Sequence, residues 1–202
     1  MIEASVGILA FGSLIDKPDW EIEEAIVDRK SGVMTPFAVE FARKSIKRGG
    51  APTLVPVADG GSPVLAQILI LSISEQEAKD RLWRREIDKV GQGGCYQHST
   101  KPGPNTLVIE RHECLEGIAV VFSARFAATI SPLTAEHLAE LAIESARREN
   151  DGTDGITYLM NAKRNGIVTP LSDSYEQEIL RRTETYNLAG ALHKIQRNYI
   201  SE

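Results

Sequence analysis

The sequence predicts an α+β fold, because strand patterns dominate the first half of the chain and helical patterns dominate the second. Short apolar, β-favouring runs occupy residues 8–11, 53–57 and 64–73. The later part carries apolar residues at helical spacing, most clearly over 134–149. Strands and helices do not alternate regularly, so we expect an α+β arrangement rather than repeated βαβ units.

The first strand is predicted at 8–11 and stops abruptly at Gly12-Ser13. A short helix or an irregular acidic connector is expected next, over 19–27, where glutamates in the first turn suit the helix dipole. Residues 36–42 partly alternate between apolar and polar side chains, which indicates a second strand.

Two prolines mark the strand predicted at 53–57. Pro52 precedes it and Pro56 interrupts it, and neither residue can donate a hydrogen bond to a ladder. This strand is therefore expected at a sheet edge or a barrel rim. The almost continuous apolar run at 64–73 instead predicts a central strand.

A capping box begins the helix that follows the central strand. Ser74 is the predicted N-cap and Glu77 the third helical residue, an arrangement that satisfies two backbone donors reciprocally. Leu82 faces inward in this register, and Glu86 lies one turn further along the same side. The carboxylate is thus directed at the core or at a cleft, which is unusual for glutamate. We expect this helix to end near 90–91.

Two more strands are predicted at 106–110 and 118–126. The remaining elements are helical, and they are expected at 134–149, 156–165 and 174–183. The tail, 184–202, carries apolar residues at helical spacing. Two alternatives are open for this extension: it packs as a last helix, or it mediates self-association into a homodimer.

The composition is that of an ordinary globular protein, and we expect one domain over residues 1–202. The formal net charge of −5, without a strongly basic stretch, disfavours nucleic acid as a partner. The apolar run 64–73 is too short to cross a bilayer, so no membrane partner is expected. Cys95 and Cys114 are the only cysteines, and the N-terminus lacks a signal-peptide pattern. Free thiols and a cytoplasmic location are therefore predicted.

A long stretch rich in glycine and proline, 91–105, follows the capped helix. Loops of this length tend to be functional or disordered, and whether this one forms a lid is left open. Cys95 and His98 within it form a Cys-x-x-His pattern that suggests a thiol amidase or a metal site. The other histidines are scattered without paired spacing, so no metal is expected.

Three short motifs follow one another along the chain. The first strand ends in Phe11-Gly12-Ser13-Leu14, where glycine lets a ligand approach the backbone and successive N–H groups can converge on an anion. A basic loop contains Ser45-Ile46-Lys47-Arg48-Gly49, and a helix later closes on Trp83-Arg84-Arg85-Glu86. Local pattern alone favours simpler interpretations of these motifs. The first would be a turn and the second a solvated hairpin loop. In the third, Glu86 would be a helix-end carboxylate paired with Arg84, Arg85 or Lys89.

In order and spacing, these motifs resemble the γ-glutamylcyclotransferase superfamily, including its ChaC-like members. The resemblance implies a small closed or nearly closed β-barrel flanked by helices. It implies that the loop Phe11, Gly12, Ser13 and Leu14 binds the γ-glutamyl group of a small-molecule substrate and that Glu86 is the general acid/base. It also suggests that Arg48 pairs with a substrate carboxylate and that Tyr96 lines the pocket. It implies neither a cofactor nor a metal.

The family's reaction requires few protein groups. The substrate's own α-amine attacks its γ-carbonyl, 5-oxoproline forms, and an amine or peptide leaves, so the enzyme mainly folds one molecule into the attacking geometry. A single glutamate can accept a proton and later return it. Phe11 stands where the family usually has tyrosine, and Trp83 where relatives often carry aspartate or another small polar residue. Glutathione, other γ-glutamyl dipeptides and γ-glutamyl amines therefore all remain candidate substrates.

Two other functions are compatible with the same sequence. In the first, the pocket binds a small carboxylate or amide without converting it, and the departures at Phe11 and Trp83 mark lost chemistry. In the second, Cys95 is the nucleophile of an amidase, which requires a nearby base that sequence alone cannot place.

Overall fold

The structure is a computed structural model that describes residues 6–149 and 151–199. Contacts between Cα atoms divide the chain into two compact units. Unit 1 contains residues 6–36 and 65–127, and unit 2 contains 37–64 and the described residues from 128 onward. The first residues, on which the signal-peptide argument depends, lie outside the described part. That residues 1–202 form a single domain stays a prediction.

Strands and helices are both present in quantity, which confirms the α+β class. The strands are β1 (Val6–Ala10), β2 (Ile26–Met34), β3 (Val39–Ser45), β4 (Ala51–Pro56), β5 (Leu65–Leu71), β6 (Val108–Leu115) and β7 (Ile118–Arg125). The α-helices are α1 (Ser13–Asp16), α2 (Trp20–Glu23), α3 (Glu75–Glu86), α4 (Ala135–Arg148), α5 (Gly155–Arg164), α6 (Ser172–Thr183) and α7 (Leu188–Tyr199). A 3₁₀ turn covers Ile46–Arg48.

Unit 1 is built on a mixed sheet with the strand order β2-β5-β1-β7-β6. The first strand pairs antiparallel with β5 and parallel with β7, and all five of its residues are buried. The predicted central position of the 64–73 run is confirmed, because β5 has a neighbour on each side. Among the described residues this sheet does not close, so the expected barrel is not confirmed.

Close packing within the sheet explains a glycine in the middle of β1. A Cβ added at Gly7 would lie 2.6 Å from the Cγ2 atom of Ile68 on the neighbouring strand. One face of the sheet is covered by α3, whose Ala78 and Leu82 join a buried apolar cluster with Ile8 and Phe122. The packing of this helix therefore places its C-terminal end next to the sheet.

Two elements of unit 1 differ from the prediction. The strand β2 was not predicted, because its sequence is largely polar and most of its side chains are exposed. It lies at one edge of the sheet and pairs with β5 through two register shifts. The helix α3 ends at Glu86 rather than near residue 90, and Asp88 adopts a φ of 57° that ends the helical path.

Unit 2 combines the β3–β4 hairpin with α4, α5, α6 and α7. The buried side chains of α4 include the predicted stripe of Leu138, Leu141, Ala142 and Ser145. The tail forms α7, while residues 200–202 lie outside the described part. In the described residues of both units, no helix has the length and apolar character needed to span a membrane.

Candidate functional site

The chain turns from β1 into α1 through Phe11 and Gly12. Gly12 has φ 59°, a left-handed conformation that glycine adopts without the strain of a Cβ. Its carbonyl accepts a hydrogen bond from Ile15 N–H at 3.3 Å, which closes the turn. Phe11 and Ser13 are half-buried, whereas Leu14 is fully buried in the core beneath the loop. Leu14 could therefore contact a ligand only through its backbone.

Glu86 is the last residue of α3, and its carboxylate is paired with the neighbouring arginine. The Arg85 Nη1 atom lies 2.6 Å from Glu86 Oε1, and the two side chains are 13% and 17% exposed. The predicted orientation toward the interior is consistent with this low exposure. The alternative interpretation, a helix-end carboxylate paired with an arginine, is also consistent with it. The carboxylate is thus enclosed and ion-paired rather than freely solvated.

Arg85 also connects α3 to the loop that carries Ser13. Its Nη2 atom donates to Ser13 Oγ at 3.2 Å and to the Lys17 carbonyl at 2.9 Å, and Nε donates to the same carbonyl at 3.2 Å. Through this one guanidinium, the structure brings together two predicted site residues that are far apart in sequence, Ser13 and Glu86.

The segment after α3 is held at two points by an ion pair. Arg84 Nε donates to Glu21 Oε2 at 2.6 Å. The other oxygen of Glu21 accepts from Gly91 N–H at 2.6 Å, and Arg84 Nη1 donates to the Gly94 carbonyl at 2.8 Å. The beginning of the expected flexible loop is therefore tied to α2 and α3.

Tyr96 is held by hydrogen bonds at both its backbone N–H and its side-chain hydroxyl. Its N–H donates to the buried carboxylate of Asp80 at 2.7 Å, and Asp80 also accepts from Gln76 Nε2 at 2.9 Å. Its hydroxyl accepts from Ile109 N–H at 3.0 Å, and its ring packs against the core of unit 1. Tyr96 is thus a fixed side chain beside α3.

The buried ion pair shifts the pKa values of both its members. Burial alone would raise the pKa of Glu21, but the hydrogen bonds from Gly91 and Arg84 and the positive charges of Arg84 and Arg81 lower it overall. Burial would likewise lower the pKa of Arg84, but Glu21, with Glu77 and Asp80 nearby, raises it overall. Both groups are therefore held in their charged forms.

Arg48 belongs to unit 2, whereas the other predicted site residues belong to unit 1. Its Nη1 atom donates to the Thr153 carbonyl at 3.1 Å, and its guanidinium carbon lies 4.8 Å from the centre of the Tyr158 ring. Its own carbonyl accepts from Ser145 Oγ at 2.6 Å. These contacts give Arg48 a structural role in unit 2, and its pairing with a substrate stays a prediction.

The residues considered for other chemistry lie on the surface. Cys95 and Cys114 are free and exposed, and His98 Nδ1 is 3.3 Å from the Tyr96 hydroxyl. In the described part of the chain, no group of three or more His, Cys, Asp or Glu side chains is arranged to hold a metal ion. A groove of about 380 Å³ on unit 2, lined by residues of α4, α6 and α7, contains none of the predicted site residues.

Sequence reasoning did not assign a site role to four of these polar residues: Glu21, Asp80, Arg84 and Arg85. The spacing of four places Asp80 and Arg84 one turn apart on the same face of α3, roughly opposite the face that carries Ala78 and Leu82. The apolar pattern therefore gave no sign that this pair is buried, and its burial depends on partners from other elements. Their identity could not be read from the sequence.

Comparison with protein-family models finds no matching family, and comparison with curated protein sequences finds no significant match.

Proposed function

We propose that this chain catalyses γ-glutamyl cyclotransfer, releasing 5-oxoproline and an amine, amino acid or peptide from a γ-glutamyl compound. One observation carries the proposal. Arg85 contacts the Glu86 carboxylate at 2.6 Å and the Ser13 hydroxyl at 3.2 Å, although Ser13 and Arg85 are 72 positions apart. The two motifs of unit 1 that carry the family resemblance are therefore neighbours through one side chain.

In the proposed reaction, Glu86 accepts a proton from the α-ammonium group of the substrate. The free amine attacks the γ-carbonyl carbon, and the new C–N bond closes a five-membered ring. The bond from that carbon to the leaving nitrogen then breaks as Glu86 returns the proton to this nitrogen. The ring nitrogen loses its remaining extra proton to Glu86, which passes it to the released amine, so that the amine leaves as an ammonium ion. The atoms balance without a co-reactant, because nucleophile and electrophile belong to one molecule.

The loop 11–14 would bind the γ-glutamyl group through its backbone. Gly12 has φ 59° where β1 turns into α1, and successive backbone N–H groups in such a turn can converge on an anion. Gly12 has no side chain to keep a ligand away, and the side chain of Leu14 is occupied in the core. Such N–H groups could also stabilise negative charge that develops on the γ-carbonyl oxygen.

Tyr96 would form a fixed wall of the same site. Its backbone is held by Asp80 and its hydroxyl by Ile109 N–H, so it would keep its position when a substrate binds. The barrel-like fold and the cytoplasmic location expected from the resemblance remain part of the proposal. The barrel rests on the resemblance alone, since the described sheet of unit 1 is open, and the two free thiols support the location.

The direct test is mass spectrometry for 5-oxoproline after incubation with a panel of γ-glutamyl compounds that includes glutathione. We expect product from the wild type and a loss of about 10²- to 10⁴-fold in Glu86→Gln, because positioned proton transfer contributes that much. Glu75→Gln is the matched control, since Glu75 lies at the other end of α3 and is 44% exposed. Equal activity of wild type and Glu86→Gln would refute the assigned role.

The ion pair between Arg85 and Glu86 favours a second candidate, a binding module that holds the same class of compound without converting it. One oxygen of the Glu86 carboxylate is already occupied by the Arg85 guanidinium, 2.6 Å away. A rise in melting temperature with panel compounds, without 5-oxoproline, would support this function over catalysis.

A further inference from the structure

We infer that Arg85 is a positioning residue that sets the distance between the proposed acid/base Glu86 and the proposed glutamyl-binding loop 11–14. This inference rests on the proposed function and adds a residue that the motifs did not assign. One guanidinium donates to the Glu86 carboxylate, to the Ser13 hydroxyl and twice to the Lys17 carbonyl.

The contacts of Arg85 depend on the shape of its side chain. Nη1 donates to Glu86 on α3. Nη2 donates to Ser13 on α1, and Nε donates to the carbonyl of Lys17, which follows α1. Different nitrogens of the planar guanidinium therefore bind the two parts of the chain. Lysine carries the same charge on a single nitrogen and cannot reproduce a planar fork. Adjacent helical residues do not face each other, so the pair with Glu86 requires the guanidinium to be held in place. The carbonyl of Lys17 provides that hold.

The position of Lys17 extends the effect of Arg85 to the whole of α1. Lys17 N–H donates to the Ser13 carbonyl at 3.0 Å, and Ile15 N–H donates to the Gly12 carbonyl at 3.3 Å. The guanidinium therefore contacts the first residue of the helix through its side chain and the residue after α1 through its backbone. Loss of these contacts would free this turn relative to Glu86.

Positioning matters strongly in the proposed reaction because both reacting groups are in one substrate. The loop would hold the glutamyl end, and Glu86 must reach first the α-amine and then the leaving nitrogen. A displacement of about 1 Å can cost about 10²-fold in rate. Arg85 thus acts on catalysis through Glu86 and the loop rather than by contact with the reacting atoms.

The test compares Arg85→Lys with Arg81→Lys. Arg81 lies one turn earlier on α3 and binds Glu24, Glu77 and the Glu21 carbonyl, so it braces the helix against α2 instead of α1. Two quantities are measured for both variants and the wild type: the kinetic constants for 5-oxoproline formation, and hydrogen exchange of the backbone amides in residues 12–17.

For Arg85→Lys we expect kcat to fall by about 10- to 100-fold, with KM changed by less than about 3-fold, because the geometry of reaction is lost more than binding. Exchange in 12–17 should become faster, and Arg81→Lys should change neither quantity. Unchanged exchange in Arg85→Lys would overturn the inference. Faster exchange with unchanged kcat would reduce Arg85 to a structural residue. If the wild type makes no 5-oxoproline, the proposed function fails and the catalytic role of Arg85 is overturned with it, while exchange decides whether Arg85 holds the loop.

Discussion

Glu21 and Arg84 form a buried ion pair, with 2.6 Å between Oε2 and Nε and only 9% of each side chain exposed. They come from α2 and α3, 63 positions apart. Each also hydrogen-bonds the backbone after α3, Glu21 at Gly91 and Arg84 at Gly94. This one pair therefore joins two helices and fixes the start of the long loop.

Replacing Glu21 by alanine should destabilise the protein by about 3 kcal/mol or more, because it leaves Arg84 and Gly91 N–H without their acceptor in a buried place. Urea unfolding at neutral pH measures the change. Glu75→Ala is the control: Glu75 pairs with Arg111 on the surface, where both side chains are more than 40% exposed. Its loss should cost about 1 kcal/mol or less. Equal losses in the two variants would contradict the assignment of Glu21.

The Glu21 carboxyl should also make stability depend on acidic pH. Its pKa is lowered in the folded state, so the folded protein binds this proton less readily than the unfolded chain. The stabilisation is complete above the ordinary value of 4.5 and is lost as the pH falls through the lowered value. We therefore expect the difference in unfolding free energy between wild type and Glu21→Gln to shrink as the solution is acidified below 4.5. A constant difference would argue against this linkage.

The Glu40 carboxyl should give the opposite pH dependence of stability. It is fully buried in unit 2, and although Thr169, Phe41 and Leu171 donate to it, its burial raises the pKa overall. The folded state then holds the proton more tightly than the unfolded chain, so stability is complete below the ordinary value of 4.5 and declines as pH rises through the raised value.

Urea unfolding of wild type and Glu40→Gln from about pH 4 upward tests this linkage. As the pH rises from 4.5 through the raised pKa of Glu40, the wild type should lose stability relative to Glu40→Gln, because the glutamine amide cannot ionise. Parallel curves for the two proteins would show that Glu40 does not titrate in the folded state as described.

Tyr175→Phe should stabilise the protein by about 1 kcal/mol. The Tyr175 hydroxyl is fully buried and has no hydrogen-bond partner among the described residues, and an unsatisfied buried group carries a desolvation cost of about that size. The phenylalanine ring keeps the edge contact with Phe41, whose centroid is 5.4 Å away. Thermal unfolding measures the change.

Tyr158→Phe is the matched control for Tyr175. Its ring also contacts Phe41, at 6.2 Å, but its hydroxyl accepts from Leu54 N–H at 3.3 Å. Removing that acceptor should cost about 1 kcal/mol. A destabilised Tyr175→Phe would indicate that the Tyr175 hydroxyl has a partner after all.

Local signals in the sequence determine several elements of the fold. Ser74 is the N-cap of α3, as predicted, and accepts from Glu77 N–H at 3.2 Å, because both residues lie within one helical turn. The Glu77 carboxylate accepts from Arg81. The buried stripe of α4 and the internal position of β5 follow from apolar periodicity and from a continuous apolar run. Such features depend on residues close in sequence, and the sequence therefore contains them directly.

Tertiary contacts decided the rest. The largely polar β2 is a strand only because it pairs with β5, and no local pattern marks it. The helix α3 ends at Glu86, and Glu21 and Arg84 hold the segment that follows. Arg85 contacts both Glu86 and Ser13, although Ser13 lies 72 positions before Arg85 in the sequence. Ion pairs and hydrogen bonds between elements depend on which surfaces meet after folding. The sequence by itself determined which side chains could form such contacts, and the tertiary structure decided which of them did.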